Sequence, residues 1–127
     1  MGAEENPLLV RTKQFAVRVM RLADALPRTR SADVIGRQLL RSAMSVGANY
    51  RAAKRARSPL EFCAKLGIVE EEADESIYWM ELLVDGKIVK SELLADLLKE
   101  ANEITAMVVT SIQTAKKGIR NDERKSD

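Results

Sequence analysis

Residues 58–85 form the segment that decides the fold, SPLEFCAKLGIVEEEADESIYWMELLVD. Ser58, Pro59 and Glu61 form the pattern of a helix start, in which the serine accepts backbone N–H bonds and the proline occupies the first turn. Apolar residues then recur with helical period until Asp85-Gly86, a dipeptide typical of a turn. This stretch therefore predicts one long amphipathic helix, the third in the chain.

Three further helices follow from similar boundary signals. The first starts at Asn6-Pro7 and ends at Leu26-Pro27, because the residue before a proline avoids the helical region. The second runs from about 31 to 56, and the fourth from Ser91 to a glycine stop at Gly118. Short turns between long helices predict an all-α, antiparallel up-and-down four-helix bundle over residues 1–118, with a charged, disordered tail over 119–127.

Polar and small residues within the second and third helices predict how they pack. Ser42, Asn49 and Ser76 fall on otherwise apolar faces, so we expect them to form a hydrogen-bonded layer that fixes the helix register. Gly36 and Gly47 each cost a helix about 1 kcal/mol relative to alanine. We therefore expect another backbone to approach closely there.

Length and composition restrict the class of protein. A chain of 127 residues with 46% hydrophobic residues is one globular domain. No apolar run approaches the roughly 20 residues that span a bilayer, and the acidic N-terminus lacks the apolar stretch of a signal peptide. The single cysteine, Cys63, excludes an internal disulfide and fits a reducing compartment. We expect a cytoplasmic protein without membrane association.

The residues of common active sites are missing from the sequence. It has no histidine, and one cysteine cannot make a thiolate zinc site. It also lacks the glycine-rich fingerprints of nucleotide binding. We expect no catalysis, no cofactor and no metal. A metal or small-ligand site lined by the carboxylates of residues 70–75 is the weakest alternative, because an acidic run on a helix is usually a solvated face.

Charge is distributed unequally along the chain. Residues 1–60 hold 12 Lys and Arg against 4 Asp and Glu, and residues 61–127 hold 9 against 15. On a helical projection, four arginines of the second helix fall within about 80°, opposite its apolar stripe. The candidate phosphate contacts are these four, their neighbours and a flank on the first helix: Arg37, Arg41, Arg51, Lys54, Arg55, Arg57, Arg11, Arg18 and Arg21. The alternatives are a solubilising surface or pairing with the acidic third helix.

A second apolar strip on the third helix is the candidate self-association surface. Ile68, Trp79 and Leu82, with Tyr78 close by, point away from the main apolar arc of that helix. A wide core face would also explain the strip. We favour an oligomer interface, because the main arc already supplies one buried face.

The second and third helices also carry a family resemblance. Residues 40–51, LRSAMSVGANYR, then Arg55 to Ser58, Phe62, residues 65–68 and the segment 72–83, EADESIYWMELL, resemble the bacterial four-helix-bundle family encoded in intervening sequences of large-subunit ribosomal RNA genes. That family is similar to the accessory variability protein of diversity-generating retroelements. This implies a basic homopentamer that works with nucleic acid and a reverse transcriptase. Arg41, Arg51, Arg55 and Arg57 match basic positions of the motif.

Two functions compete at this point. The leading hypothesis is a non-catalytic, oligomeric accessory protein that binds the RNA or DNA backbone through the second helix. The alternative is a protein–protein adaptor, for example for a reverse transcriptase, without nucleic-acid binding of its own. With few aromatic residues for base stacking, we expect any binding to nucleic acid to be backbone-directed and dependent on salt.

Overall fold

A computed structural model of the protein describes residues 6–126, which fold as a four-helix bundle. The helices are α1 (Pro7–Asp24), α2 (Arg30–Lys54), α3 (Pro59–Asp85) and α4 (Ser91–Ser126), and no strand occurs among the described residues. Consecutive helices pack side by side, and α4 closes the bundle against α1. The antiparallel bundle predicted from the sequence is confirmed. Residues 1–5 and 127, which the prediction assigned to the bundle and the tail, lie outside the described residues.

The predicted helix starts are confirmed at α1 and α3. Asn6 Oδ1 accepts the Leu8 N–H at 2.9 Å, and Ser58 Oγ accepts the Glu61 N–H at 3.1 Å. The Glu61 carboxylate differs from a standard capping box: it accepts the N–H of Arg57, one residue before the cap, at 3.2 Å. These bonds satisfy N–H groups that have no partner inside the helix.

The interior is one aliphatic core to which all four helices contribute. Its fully buried large side chains include Phe15, Leu39, Leu66, Met80 and Ile104. Leu83 of α3 is also fully buried. In residues 6–126 we find no helix whose length and apolar character would let it cross a membrane.

Two of the three residues that were predicted to form a polar layer do so. Ser42 and Ser76 are fully buried, and their hydroxyl oxygens lie 2.9 Å apart across α2 and α3. Asn49 does not belong to the layer; it is half-buried and donates to the Ser45 carbonyl of its own helix at 2.8 Å. A polar side chain at the edge of a buried helix face can donate its N–H to a carbonyl of its own helix. The position of Asn49 in the helical period is compatible both with such a local bond and with full burial, so the sequence did not distinguish the two.

The predicted close approach is confirmed at Gly47. A Cβ at this position would lie 3.4 Å from the backbone carbonyl oxygen of Thr12 on α1. The backbones of α1 and α2 therefore pass close together near the start of α1. At Gly36, by contrast, a Cβ would lie 3.1 Å from the Leu26 side chain and not from a backbone atom.

The predicted glycine stop at Gly118 is wrong. Helix α4 continues through Gly118 to Ser126 and is 36 residues long. An added Cβ at Gly118 would have no atom within 4 Å, so no neighbour forces a special backbone conformation there. A single helical glycine costs only about 1 kcal/mol, and the residues after it are mostly good helix formers.

Candidate nucleic-acid interface

The outer face of α2 carries the predicted arginines. Arg37, Arg41, Arg51 and Arg55 are all exposed, whereas the opposite face contributes Leu39, Val46 and Tyr50 to the core. The helical period separates the two faces, as the sequence predicted. These arginines nonetheless differ in the carboxylates that surround them.

Arg41 is held by carboxylates of α3. Its guanidinium contacts Glu72 at 3.2 Å and also forms an ion pair with Glu75. These contacts raise the pKa of Arg41, and the Arg41 hydrogen bond lowers the pKa of Glu75. Arg41 therefore joins α2 to α3, which is the pairing alternative raised by the charge distribution.

Arg11 is held in the same way by α4. Its guanidinium donates to both Glu100 carboxylate oxygens, at 2.8 and 2.7 Å, and to Glu103 at 2.7 Å. The hydrogen bonds lower the pKa of Glu100. The partners are 89 and 92 residues away in the chain, so no local spacing could have indicated this contact.

Three other predicted residues remain on the surface of α1 and α2. Arg37 pairs with Asp33 one turn earlier at 3.1 Å, and both side chains are largely exposed. Exposed i,i+4 pairs are weak and open readily. Arg18 and Arg21 are exposed on α1 and form no ion pair within the described part of the chain.

The remaining basic residues cluster where α2 ends and α3 begins. We call this cluster the basic corner: Arg51, Lys54, Arg55, Arg57 and Lys65. Four of these residues, all except Lys54, line a shallow groove of about 500 Å³ whose other lining residues are Ala48, Ala52 and Glu61. Within residues 6–125, none of the five forms an ion pair. Lys65 was not among the predicted contacts, because it lies on α3 and not on the basic second helix.

Comparison with known proteins places the fold in a family. Residues 4–110 match the family model of the 23S rRNA-intervening sequence protein. A crystal structure of a protein with unknown function from the S23 ribosomal protein family of Bacteroides thetaiotaomicron VPI-5482 is similar at 33% identity and a TM-score of 0.78. The match covers 83% of this chain and 97% of that chain. The chain belongs to the 23S rRNA-intervening sequence protein family. A search of curated protein sequences finds no match.

The family match includes the basic corner but ends before the C-terminal part of α4. Residues 111–126 lie beyond the matched range, although they continue the helix. The relation to retroelement accessory proteins stays a prediction.

The candidate self-association strip lies on α3. Tyr78 and Ile68 are 52% and 39% exposed, while Trp79 and Leu82 are half-buried. The Tyr78 and Trp79 rings make an edge-to-face contact with centroids 5.1 Å apart. Trp79 also packs against the core. We call these four residues the α3 strip. Tyr78 and Ile68 form its exposed part, and Trp79 extends the core.

A second apolar surface, which the sequence pattern missed, lies between α1 and α2. We call it the α1–α2 groove: a cavity of about 740 Å³ lined by Leu9, Val10, Thr12, Lys13, Gln14, Ala16, Val17, Met44, Gly47, Ala48 and Arg51. Val17 and Met44 are 38% and 46% exposed. Because Met44 lies among the arginines of α2, its apolar character was hidden by the charge pattern.

Proposed function

We propose that this protein is a non-catalytic accessory protein that binds the phosphate backbone of RNA or DNA through its basic corner. The observation that supports the proposal is the convergence of Arg51, Arg55, Arg57 and Lys65 on one groove. The only carboxylate lining that groove, Glu61, accepts a backbone N–H. The cationic groups are thus available to an external anion.

The chemistry of the corner fits phosphate better than bases. Arginine presents a planar fork of donors that matches two phosphate oxygens, and such contacts need no base sequence. The aromatic pair Tyr78–Trp79 lies on α3, and no aromatic residue lines the corner groove. Base stacking therefore plays no part in the proposed contact.

The proposed contact set differs from the one indicated by sequence. Arg41 and Arg11 are engaged by carboxylates, so the proposal assigns them a structural role. Arg51, Lys54, Arg55 and Arg57 remain as the central contacts, with Lys65 added. Arg18, Arg21 and Arg37 form a peripheral positive surface that strengthens the attraction at low salt.

The test is a titration of labelled single-stranded RNA and duplex DNA with two variants. In Arg51→Glu/Arg55→Glu, charge reversal at the corner should weaken binding at least tenfold and reduce its salt dependence. The control is Arg28→Glu/Arg30→Glu, which changes two exposed residues around the α1–α2 turn and alters the net charge equally. Equal affinity of the corner variant and the unmodified protein would refute the proposal and favour the adaptor alternative.

We also propose that the chain self-associates head to tail, with the α3 strip of one copy in the α1–α2 groove of the next. The two surfaces are both apolar and carry opposite charge. Exposed Glu71 and Asp74 lie on the outward side of α3, and exposed Lys13 and Arg21 lie on the outward side of α1. Such a heterologous contact between unlike surfaces closes into a ring when the rotation per copy allows it. A ring is compatible with the pentamer that the retroelement resemblance implies, and light scattering would measure its mass.

A further inference from the structure

The C-terminal part of α4 extends beyond the bundle. Helix α4 has 36 residues and α3 has 27, lengths of about 54 and 40 Å at 1.5 Å per residue. Val108 is the last residue of α4 to be fully buried among those whose side chains are described. Residues 113–126, which we call the α4 extension, therefore do not contribute to the core of the bundle, and α4 exceeds α3 in length by 9 residues (36 against 27) at its C-terminal end.

The α4 extension leaves the bundle at the same end as the basic corner. In the antiparallel bundle, the end of α4 lies with the start of α1 and the end of α2. Two contacts fix this arrangement: Tyr50 near the end of α2 donates to Asn6 Oδ1 at 3.2 Å, and Arg11 of α1 contacts Glu103 of α4. The turn that carries Arg55 and Arg57 is at this same end.

The α4 extension presents a cationic face. It holds five basic residues against two acidic ones. Lys117, Arg120 and Arg124 are spaced i, i+3 and i+7, so they fall within about 60° on a helical projection. Asp122 and Glu123 lie roughly 95° or more from the centre of that face. Lys117, Arg120 and Arg124 are all exposed.

The composition of this face decides which class of partner it fits. A protein interface needs an apolar centre, and the residues along this face are Gln113 and the three cations. The apolar residues of this part of α4, Ala115 and Ile119, continue the bundle-facing stripe instead. A row of cationic side chains without apolar neighbours is suited to contact successive phosphates of a nucleic-acid backbone.

We propose that the α4 extension is a second arm of the nucleic-acid surface, adding phosphate contacts to those of the basic corner. This inference rests on the proposed function. It assigns a role to a segment beyond the family match, which ends at residue 110. One nucleic-acid strand then crosses the end of the bundle and contacts both the corner and Lys117, Arg120 and Arg124.

The experiment uses the full chain, a labelled single-stranded RNA of about 30 nucleotides and a salt titration. In Lys117→Gln/Arg120→Gln/Arg124→Gln, glutamine preserves helix propensity while removing three charges. We expect an affinity about tenfold lower and a log–log salt slope shallower by about 2, since each single-strand phosphate contact contributes roughly 0.7. A chain ending at Thr114 should show a similar loss.

The control variant is Lys87→Gln/Lys90→Gln/Lys99→Gln, which removes three exposed charges away from this end of the bundle. Its affinity should stay within about twofold of the unmodified protein. If the α4 variant binds as tightly as the unmodified protein, or if the control loses as much as the α4 variant, the second arm is refuted. Binding that is lost in Arg51→Glu/Arg55→Glu would meanwhile uphold the proposed function. If the unmodified protein binds no RNA, both proposals fail.

Discussion

Arg11 shows how a cationic side chain on the bundle surface serves the fold. Its side chain is 29% exposed, and its guanidinium donates to both carboxylate oxygens of Glu100, whose side chain is 19% exposed. Bidentate geometry with two carboxylates exceeds an ordinary surface pair in strength. The contact also links α1 to α4, which pack less extensively than the other contacting helix pairs. We infer that Arg11 contributes to closing the bundle.

We predict that Arg11→Gln lowers the free energy of unfolding by about 1–2 kcal/mol at pH 7. The folded pKa of Glu100 lies below its unfolded value, so this stabilisation is present above the unfolded pKa, about 4.3, and is lost as pH falls through the folded pKa. The difference between variant and unmodified protein should therefore shrink as the pH decreases from 5 to about 3. Urea unfolding at several pH values measures it.

Arg21→Gln is the matched control, because Arg21 is on the same helix, is exposed and forms no ion pair among the described residues. Its unfolding free energy should change by less than about 0.5 kcal/mol at every pH. A deficit in Arg11→Gln that persists unchanged at pH 3 would contradict the assigned role.

At the scale of residues, the sequence predicted which charged side chains are exposed but not which carboxylates they pair with. The arginine face of α2 follows from the helical period, and the structure confirms that it is exposed. The partners of Arg41 and Arg11 lie on other helices, and their choice depends on how those helices rotate and slide during packing. Helical periodicity within one segment carries no such information.

At the scale of helices, the capping residues correctly predicted where two helices begin, whereas a single glycine did not predict where α4 ends. Asn6 and Ser58 each make the predicted bond to a backbone N–H, which has few alternative partners in a helix start. Gly118 only lowers propensity, and helix α4 continues past it. A helix stop signal is reliable where the chain must turn so that the next helix can pack. Among the described residues no helix follows the α4 extension, so packing requires no turn at Gly118.

We predict that Gly118→Pro unfolds the part of the α4 extension after residue 118 without destabilising the bundle. Proline removes an i→i−4 hydrogen bond and clashes with the preceding turn, at about 3 kcal/mol. Amide exchange in residues 119–125 should become fast and the helical circular dichroism should fall slightly. The Tm should stay within about 2 °C, because Val108 is the last fully buried residue of α4.

Gly118→Ala is the opposite variant, since a Cβ meets no atom within 4 Å. It should slow amide exchange in the α4 extension through a propensity gain of about 1 kcal/mol. A Tm decrease of several degrees in Gly118→Pro would show that the extension packs on the bundle, contrary to its assignment as a projecting arm.

At the scale of the whole molecule, the bundle separates its charged and apolar surfaces. The basic corner and the α4 extension share one end, while the α3 strip and the α1–α2 groove lie along the sides; Arg51 lines both the corner groove and the adjoining end of the α1–α2 groove. Ring assembly through the sides would place the basic ends of all copies on the same rim, because a cyclic rotation keeps their axes in register. Multivalent binding would then raise the affinity for a long polymer above that of one copy.

We predict that the α3 strip of one copy contacts the α1–α2 groove of another. A mixing experiment tests this with two variants, each of which has one of the two surfaces blocked. Ile68→Glu/Tyr78→Glu carries charges on the α3 strip, and Val17→Glu/Met44→Glu carries them in the α1–α2 groove. All four positions are more than a third exposed, so the fold should persist. Each variant alone should be a monomer by light scattering, because every contact in the ring needs one surface of each kind.

An equimolar mixture should form a 1:1 dimer, since the intact groove of the first variant accepts the intact strip of the second. The dimer cannot grow, because its two remaining surfaces are the blocked ones. A strip-to-strip interface gives another result: the groove variant would assemble by itself and the mixture would contain no new species. A monomeric unmodified protein would contradict self-association through either surface, and RNA binding would then depend on a single basic corner and a single α4 extension.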